Sequence, residues 1–492
     1  MDMKKLLLFS FFSFFLLFSL SAQEVERYCG TPPGIVDWLK SYQENPAAFL
    51  RSSDLLYVPL TIHIVGNDDG NGYFPVSRVL DAFCTLNADF EASNIQFFIK
   101  GEFNYIDNSD YYDHNFGQGI DMMQEYNVPN TINCYIVGNP AGACGYSFYS
   151  LGIALSKSCT SADDHTWAHE IGHNLSLPHT FSGWEDTNYQ DFEQTPSTVN
   201  GRMVERADGT NCQNAGDGFC DTPADYISNR WPCRADKLSN ALQTDPAGVA
   251  FRSDGTLIMS YSYDECSSRF SVEQTEAMRA NLLGERSFLL YDQSPATYLE
   301  GWEAVPSTPV EGALITDVSS VTLEWEPIEL AEGYIVQLGL LSNLGIEIIY
   351  RTFHTTENQV VVTNLLSDRD WLWRVRPYNR YDGCAPYSNT FTFETGNFIN
   401  TTREEISPSD FHIQPNPQDA GGTVVVEFDL PVALDIQLNL YSMAGQRIHG
   451  VQLNAHYGIN KVEVPTENLE PGLYLIGLEH AQGRQFRKIV IQ

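Results

Sequence analysis

The chain has 492 residues and a formal net charge of −35 at neutral pH, with 63 acidic against 28 basic side chains. This charge argues against a nucleic-acid-binding protein, because such proteins present a basic face to the phosphates. The length exceeds that of one ordinary domain and predicts about three.

The first 22 residues predict a secretory signal. Lys4 and Lys5 precede a run of Leu, Phe and Ser residues, and small side chains follow at Ser19, Ser21 and Ala22. No later segment approaches ~20 uninterrupted apolar residues, so we expect a mature chain without a transmembrane segment.

Ten cysteines in an exported chain predict disulfides. Cys29 lies in residues 23–55, which we expect to form a short propeptide, and Cys384 lies far downstream. The other eight lie in the segment 56–298, an even number that permits full pairing without giving the connectivity: Cys84, Cys134, Cys144, Cys159, Cys212, Cys220, Cys233 and Cys266.

Residues 56–298 have the pattern of an α+β domain. Asp163 and Asp164 suit the N-terminus of its last predicted helix, where negative charge interacts favourably with the helix dipole. The predicted elements are a strand at 57–65, a helix at 76–92, strands at 95–99, 131–137 and 152–155, and a helix from about Ser161.

That helix carries the sequence H-E-I-G-H at 169–173, followed by a histidine at 179. Residues four apart share one helix face, so His169 and His173 can direct two imidazoles at one metal ion. Catalytic zinc takes three protein ligands, and His179 is the third candidate. Glu170 lies beside the first ligand, where it can act as general base toward a zinc-activated water and then as general acid.

These residues resemble the long metzincin motif, H-E-x-x-H-x-x-G-x-x-H. Every fixed position of the motif matches except Ser176, where the family has a glycine that lets the chain turn sharply. If the backbone there has a positive φ, a serine would be strained by about 1 kcal/mol. Residues 257–261 resemble the family's Met-turn, which implies Met259 beneath the histidines and Tyr261 directed toward the substrate carbonyl. Ordinary core packing is the alternative for Met259.

The resemblance is closer still to the pappalysins, the ulilysin-like secreted metzincins. It rests on residues 169–181, on D-G-F-C-D-T-P-A-D at 217–225 and on Y-D-E-C at 263–266. It spans about residues 56–295 and implies an α+β catalytic domain. In that family the second stretch lies near structural calcium, which implies oxygen ligands at Asp217, Asp221 and Thr222. A solvated acidic loop is the alternative.

Cys29 lies in the sequence R-Y-C-G at 27–30. A thiolate is a strong zinc ligand and can occupy the fourth position of a catalytic site. The segment resembles the R-x-C-G latency stretch of matrix metalloproteases and a similar one in pappalysin-like precursors. We expect Cys29 to keep the precursor latent; a structural disulfide or an idle thiol is the alternative.

Residues 302–397 alternate as short strands, at 321–325, 334–338 and 359–362. The sequence W-L-W-R-V-R-P-Y-N at 371–379 resembles a late strand of a fibronectin type III sandwich, and about 90 residues with about seven strands fit that size. We expect Trp325 and Trp373 to lie in its core.

Residues 408–492 are predicted to form another all-β unit, with strands at 423–428 and 436–441. P-N-P at 415–417, M-A-G-Q at 443–446 and L-E-P-G-L-Y at 469–474 resemble a type IX secretion sorting domain. Such domains occur in Bacteroidota. The resemblance implies the type IX machinery as a partner and a location outside the cell or on the outer-membrane surface. A second binding module is the alternative.

The sequence therefore predicts a multidomain protein in which an α+β metzincin-like catalytic domain precedes two all-β sandwich-like domains. The predicted function is a secreted zinc endopeptidase that cleaves proteins or peptides, with Zn²⁺ and Ca²⁺ as cofactors. Two alternatives are a catalytically impaired surface adhesin, which binds proteins through its fibronectin-like module, and a zinc hydrolase of non-peptide substrates.

Overall fold

A computed structural model describes residues 27–294, 296–341, 347–396, 411–418, 422–430, 433–442, 447–467, 469–480 and 483–492. The predicted signal at 1–22 and the M-A-G-Q sequence at 443–446 lie outside the described residues. The chain divides after Ser294 into two compact units.

The first unit is built on a seven-stranded sheet. The strands of the whole unit, including those outside this sheet, are β1 (Arg27–Cys29), β2 (Leu56–Gly66), β3 (Ile95–Ile99), β4 (Asn104–Asp107), β5 (Asp113–His114), β6 (Ile132–Val137), β7 (Asn139–Pro140), β8 (Ala143–Phe148), β9 (Gly152–Ser156), β10 (Thr198–Val199), β11 (Arg202–Met203), β12 (Gln243–Thr244) and β13 (Ala250–Phe251). The sheet order is β1-β8-β9-β6-β2-β3, and β4 also pairs with β2.

Most of this sheet is parallel, with one reversal near its edge. The central pairs β9–β6, β6–β2 and β2–β3 are parallel, whereas β8 runs antiparallel to β9. β2 and β6 are buried along almost their whole length, as expected of parallel strands covered on both faces. β1 comes from the predicted propeptide and pairs parallel with β8, so the propeptide forms the outermost strand.

The helices of this unit are α1 (Asp37–Glu44), α2 (Val76–Glu91), α3 (Ser109–Tyr112), α4 (Phe116–Tyr126), α5 (Thr166–Asn174) and α6 (Val272–Leu283). α2 packs on β3 and on α5, and its apolar face is buried. Phe83 of this face lies 6.4 Å, between ring centroids, from Trp167 of α5. This packing holds the helix of the H-E-I-G-H sequence against the sheet.

Several predicted elements are confirmed to within two residues: α2, β3, β6 and β9. The predicted start of the helix that carries H-E-I-G-H, at about Ser161, is wrong, because this helix, α5, begins at Thr166. Asp163 has a left-handed backbone with a φ of +63°, which ends any helix there. The Asp164 carboxylate instead accepts a hydrogen bond from the Thr166 amide at 2.9 Å.

The disulfides described within the first unit include Cys144–Cys159, Cys212–Cys220 and Cys233–Cys266. Full pairing of the eight cysteines is contradicted, because Cys134 is a free thiol in the interior of β6. Its sulfur accepts a hydrogen bond from the Trp167 indole at 3.4 Å, so it packs as a core residue.

The second unit consists of β-sheets. Its strands are β14 (Pro306–Thr308), β15 (Ala313–Ile315), β16 (Ser320–Trp325), β17 (Gly333–Leu341), β18 (Glu347–Thr355), β19 (Gln359–Thr363), β20 (Arg369–Tyr378), β21 (Phe391–Thr395), β22 (Phe411–Gln414), β23 (Thr423–Leu430), β24 (Leu434–Ser442), β25 (Arg447–Ala455), β26 (Gly458–Pro465), β27 (Gly472–His480) and β28 (Gly483–Ile491).

Four sheets of this unit build two cores. Sheets of order β14-β16-β19 and β15-β21-β20-β17-β18 enclose the first core, in which Trp325 and Trp373 are fully buried with ring centroids 6.2 Å apart, as predicted. Sheets of order β22-β23-β26 and β25-β24-β27-β28 contribute the second core. Within the part of the chain that the structure describes, no helix has the length and apolarity needed to span a membrane.

Candidate metal centre and cleft

Three histidine side chains meet at the end of α5. His169 and His173 extend from one face of the helix, and every residue of α5 is buried. The Nε2 atom of His173 lies 3.1 Å from that of His169 and 3.0 Å from that of His179. The structure thus brings together the three side chains predicted from their spacing.

A tight turn after the helix carries the chain to the third histidine. The Ser176 amide donates to the His173 carbonyl and the Leu177 amide to the Gly172 carbonyl, both at 2.9 Å, which is the pattern of a Schellman motif. This motif requires a left-handed residue at its centre, and the φ of Ser176 is +86°. The serine at this position is therefore strained, as predicted from its place where the metzincin motif has a glycine.

The opposite ring nitrogen of each histidine is held by an acceptor, which fixes the orientation of the imidazole. The acceptors of the three Nδ1 atoms are the carbonyls of Ile258 and Leu177, each at 2.7 Å, and the carboxylate of Glu185 at 3.4 Å. Because Nδ1 donates in each ring, the Nε2 lone pairs of all three face a common point. Burial, and next the neighbouring His179, lower the pKa of His169 and of His173 well below the usual value.

Three converging lone pairs repel one another unless a cation lies between them. Zinc–nitrogen bonds of about 2.0–2.1 Å in a tetrahedral arrangement place neighbouring nitrogens about 3.3 Å apart. The observed separations of 3.0 and 3.1 Å are close to that spacing. The residues present therefore fit a tetrahedral metal ion bound by three imidazoles.

Met259 lies directly beneath α5. A Cβ atom at Gly172 would come within 2.4 Å of the Met259 sulfur, so this glycine allows the close approach. Met259 is fully buried, and its carbonyl accepts a hydrogen bond from the Thr180 amide at 3.1 Å. The turn that contains Met259 thereby supports the histidines from below.

The predicted propeptide places Cys29 at the same point. One ligand atom of Cys29 and one from each of the three histidines all lie within 4.8 Å of one another. The Cys29 thiol is free and buried, and burial raises its pKa well above the usual value. The Thr31 amide donates to its sulfur at 3.3 Å.

Glu170 is fully buried beside this cluster, and burial raises its pKa to about 8. Its Oε2 accepts a hydrogen bond from the Thr31 hydroxyl at 2.8 Å, whereas its Oε1 has no partner among the described residues. The predicted propeptide segment therefore contacts the carboxylate as well as the histidine cluster.

Tyr261 closes the cluster from the side of the Met259 turn. Its ring centroid lies 5.0 Å from that of His179 and 5.8 Å from that of His169. Its hydroxyl donates to the Cys29 carbonyl at 3.4 Å, so it faces the main chain of the segment that occupies the cleft.

Two of the three predicted calcium ligands, Asp217 and Thr222, are in direct contact. Asp217 is fully buried, and its Oδ1 accepts from the Phe219 amide (3.0 Å) and the Thr222 hydroxyl (2.9 Å). Its Oδ2 has no partner among the described residues, and burial raises its pKa to about 8. Asp221 is exposed, and its carboxylate accepts from the Glu273 amide at the start of α6 (2.9 Å).

The sequence interpretation missed Asp225 as an anchor of the site. The buried Asp225 carboxylate accepts hydrogen bonds from the Thr180 hydroxyl (2.8 Å) and the Ser260 hydroxyl (2.9 Å). Those two residues directly follow the third histidine and Met259. Asp225 lies in the stretch that carries the pappalysin resemblance, but its contacts depend on residues 35 and 45 positions away, which local spacing cannot reveal.

Glu185 and Thr31 were also missed. Both lie in segments without a periodic pattern, so no local signal marks them as neighbours of the histidines and of Glu170.

Comparisons with known proteins agree with parts of this description. Residues 412–492 match a family model described as a secretion system C-terminal sorting domain. An extracellular metalloprotease of Neurospora crassa is 25% identical over 270 residues, which cover 49% of this chain and 82% of the relative. Extracellular metalloproteases of Sordaria macrospora (22% identical; 49% and 82% covered) and Colletotrichum graminicola (24%; 46% and 77%) are also similar.

Among solved structures, chicken CNTN1 FN1–FN3 domains are similar with 15% identity and a TM-score of 0.15, covering 39% of this chain and 65% of that one. The fn3 domain of the human collagen alpha-1(XX) chain is similar with 19% identity and a TM-score of 0.16, covering 22% and 95%.

The strain at Ser176 generates a prediction about stability. Ser176→Gly relieves the left-handed strain, whereas Ser176→Ala removes the hydroxyl and retains the strain. We expect the Gly variant to be more stable than the Ala variant by about 1 kcal/mol in urea unfolding, the reverse of the usual order of these residues in a helix. An Ala variant as stable as the Gly variant would show that the backbone here is unstrained.

Proposed function

We propose that this protein is a secreted zinc-dependent endopeptidase with a pappalysin-like metzincin catalytic domain in its first unit. The observation that carries the proposal is the convergence of three Nδ1-anchored imidazoles next to the buried carboxylate of Glu170. Similarity to extracellular metalloproteases supports it independently.

His169, His173 and His179 would hold the zinc ion, because neutral imidazoles are preferred zinc ligands and catalytic sites use three protein ligands. When bound there, zinc would polarise the scissile carbonyl and lower the pKa of a water molecule. Met259 supports this arrangement from beneath α5, where its sulfur fits against Gly172.

Glu170 acts as general base and then as general acid. Its Oε1 is the atom without a partner among the described residues and is placed to take the proton of the attacking water. The same carboxyl group then donates that proton to the nitrogen of the leaving amine. No covalent acyl-enzyme is required, because water is the nucleophile.

Tyr261 stabilises negative charge on the carbonyl oxygen of the substrate. The support is its hydroxyl, which already donates to a peptide carbonyl in the cleft, that of Cys29. A donor aimed at a main-chain oxygen beside the metal site can strengthen its hydrogen bond as charge develops.

The propeptide keeps the enzyme latent through two contacts. Cys29 would supply the fourth ligand of the metal ion, and the Thr31 hydroxyl donates a hydrogen bond to the Glu170 carboxylate. Both contacts must be released before a substrate carbonyl and water can enter.

A calcium ion near Asp217 and Thr222, with Asp221 as the third predicted ligand, is proposed to stabilise the 217–225 loop. The support is the buried Oδ2 of Asp217, together with the nearby Glu205, whose pKa is raised to about 9 by burial and then by the charge of Asp217. A bound cation would reduce the repulsion between these buried carboxylates.

The C-terminal match supports export by the type IX machinery to the surface of a Bacteroidota-type cell or beyond. The fibronectin-like module, assigned to residues 302–397, is proposed to act as a spacer or as an adhesive surface.

Glu170→Ala tests the chemistry. We expect the activated variant to retain one zinc ion per chain and to lose nearly all cleavage of casein, because the general base is gone. Glu265→Ala, which replaces an exposed glutamate, is the control and should match the wild type. Cleavage by Glu170→Ala would overturn the assigned role. Zinc without cleavage by the wild type would favour the adhesin alternative.

Cys29→Ala tests latency. We expect the unprocessed variant to cleave casein well above the level of the unprocessed wild type, because the fourth metal position is open. Cys134→Ala removes the other described free thiol and should leave latency unchanged. A Cys29→Ala precursor that is no more active than the wild type would disprove the switch.

Asp217→Asn tests the calcium site. Millimolar Ca²⁺ should raise the melting temperature of the wild type above its value in chelator by about 5 °C, through preferential binding to the folded state. The variant should show little of this shift, whereas Asp208→Asn in an exposed loop should retain it. Equal shifts in the wild type and Asp217→Asn would exclude Asp217 as a ligand.

A further inference from the structure

The propeptide enters the cleft as an added strand. β1 pairs with the edge strand β8, with Arg27 opposite Ala143 and Cys29 opposite Gly145. Backbone hydrogen bonds continue the ladder on both sides, from the Arg27 amide to Gly142 (3.0 Å) and from the Gly30 amide to Gly145 (2.8 Å). In strand addition, main-chain hydrogen bonds supply affinity, and pockets for alternate side chains supply selectivity.

Tyr28 fills a pocket formed by residues of the catalytic domain, which we name the Tyr28 pocket: His169, Tyr261 and Arg230. The Tyr28 ring contacts the His169 ring at 5.3 Å and the Tyr261 ring at 5.1 Å, both edge-on. The Arg230 guanidinium carbon lies 3.9 Å from the centroid of the Tyr28 ring. Tyr28 is 7% exposed, so the pocket encloses the whole aromatic side chain.

Arg230 is held in place without help from Tyr28. It donates to the Asp264 carboxylate at 2.5 Å and to the Ser262 carbonyl. The adjoining backbone is fixed as well, because the Trp231 amide donates to the Tyr261 carbonyl at 3.1 Å. The pocket therefore persists when the propeptide leaves and is then open to another side chain.

The chemistry of the pocket selects among side chains. A guanidinium over a ring face attracts the electron-rich centre of an aromatic ring. A lysine or arginine side chain in the same place would meet a like charge, and an aliphatic one would lose the cation–π contact. Arg230 also forms an ion pair with Asp264, and both side chains are partly exposed, so its charge is only partly desolvated.

We propose that the Tyr28 pocket is a substrate subsite that selects an aromatic side chain next to the cleaved bond, and that Arg230 determines this selectivity. The propeptide residue Tyr28 thus imitates a substrate side chain. This inference rests on the proposed endopeptidase function and specifies its substrate class as peptides with Tyr or Phe at one subsite.

The first test measures cleavage by the secreted protein after removal of its propeptide. Sites cut in a peptide mixture should show Tyr and Phe enriched at one position. Arg230→Gln should reduce the ratio of kcat/KM for aromatic over leucine substrates about tenfold. Arg230→Lys, which retains a cation, should lose less. Arg234→Gln, which changes an exposed arginine paired with Asp236, should behave as the wild type.

The second test does not depend on the folding of an Arg230 variant. A synthetic peptide of residues 27–35 is bound to the activated wild-type protein, and binding is followed by fluorescence anisotropy. Tyr28→Phe in the peptide should leave the Kd nearly unchanged, whereas Tyr28→Leu should weaken binding about tenfold.

The outcomes separate the two proposals. Casein cleavage without aromatic enrichment, or equal binding of the Tyr28→Leu peptide, would overturn the subsite and leave the endopeptidase standing. Absence of any protein cleavage by the activated wild type would overturn the endopeptidase, and the peptide binding would still decide whether the pocket selects an aromatic ring.

Discussion

The turn at Ser176 is the local constraint on which the arrangement of the cleft depends. A straight helix presents His169 and His173 on one face but carries the following residues away from them. The Schellman turn reverses the chain within three residues, so that His179 returns to the same point. A left-handed serine at its centre is a local cost that the native contacts around the histidines offset.

Residues from three other segments of the chain then hold the histidines in their orientations. The carbonyl of Ile258 orients His169, and the carboxylate of Glu185 orients His179. Asp225 joins the residues that follow His179 and Met259 through their hydroxyls. The predicted propeptide segment lies in the same cleft. Its backbone pairs with β8, Cys29 lies at the histidines, the Thr31 hydroxyl contacts Glu170, and the Tyr28 ring contacts Arg230. Latency and substrate selection are thus proposed to share one set of contacts.

Much of the histidine cluster was predictable from the sequence because its information is local. Spacing along a helix places His169 and His173, and the missing glycine correctly indicated strain at Ser176. α2 and the buried strands were predictable from apolar periodicity. β8 was not, because its six residues include Cys144, Gly145 and Ser147 and lack an apolar alternation.

The contacts that complete the site come from distant parts of the chain and were not predictable. Thr31 and Glu170 are 139 residues apart, and no pattern in either segment indicates their hydrogen bond. The prediction that all eight cysteines pair was wrong for the same reason. The burial of the free Cys134 depends on contact between α5 and β6, through the Trp167 indole. The hydrogen bond from the Glu273 amide of α6 to the Asp221 carboxylate spans 52 residues and was likewise not predictable.

We propose that three histidines and Cys29 bind one zinc ion in the unprocessed chain. Zinc X-ray absorption of the purified precursor can test this coordination, because sulfur and nitrogen ligands lie at different distances from zinc, about 2.3 and 2.0–2.1 Å. We expect one zinc per chain with three nitrogen ligands and one sulfur, and loss of the sulfur alone in Cys29→Ser. A precursor that binds less than one zinc, or zinc without a sulfur ligand in the wild type, would contradict it.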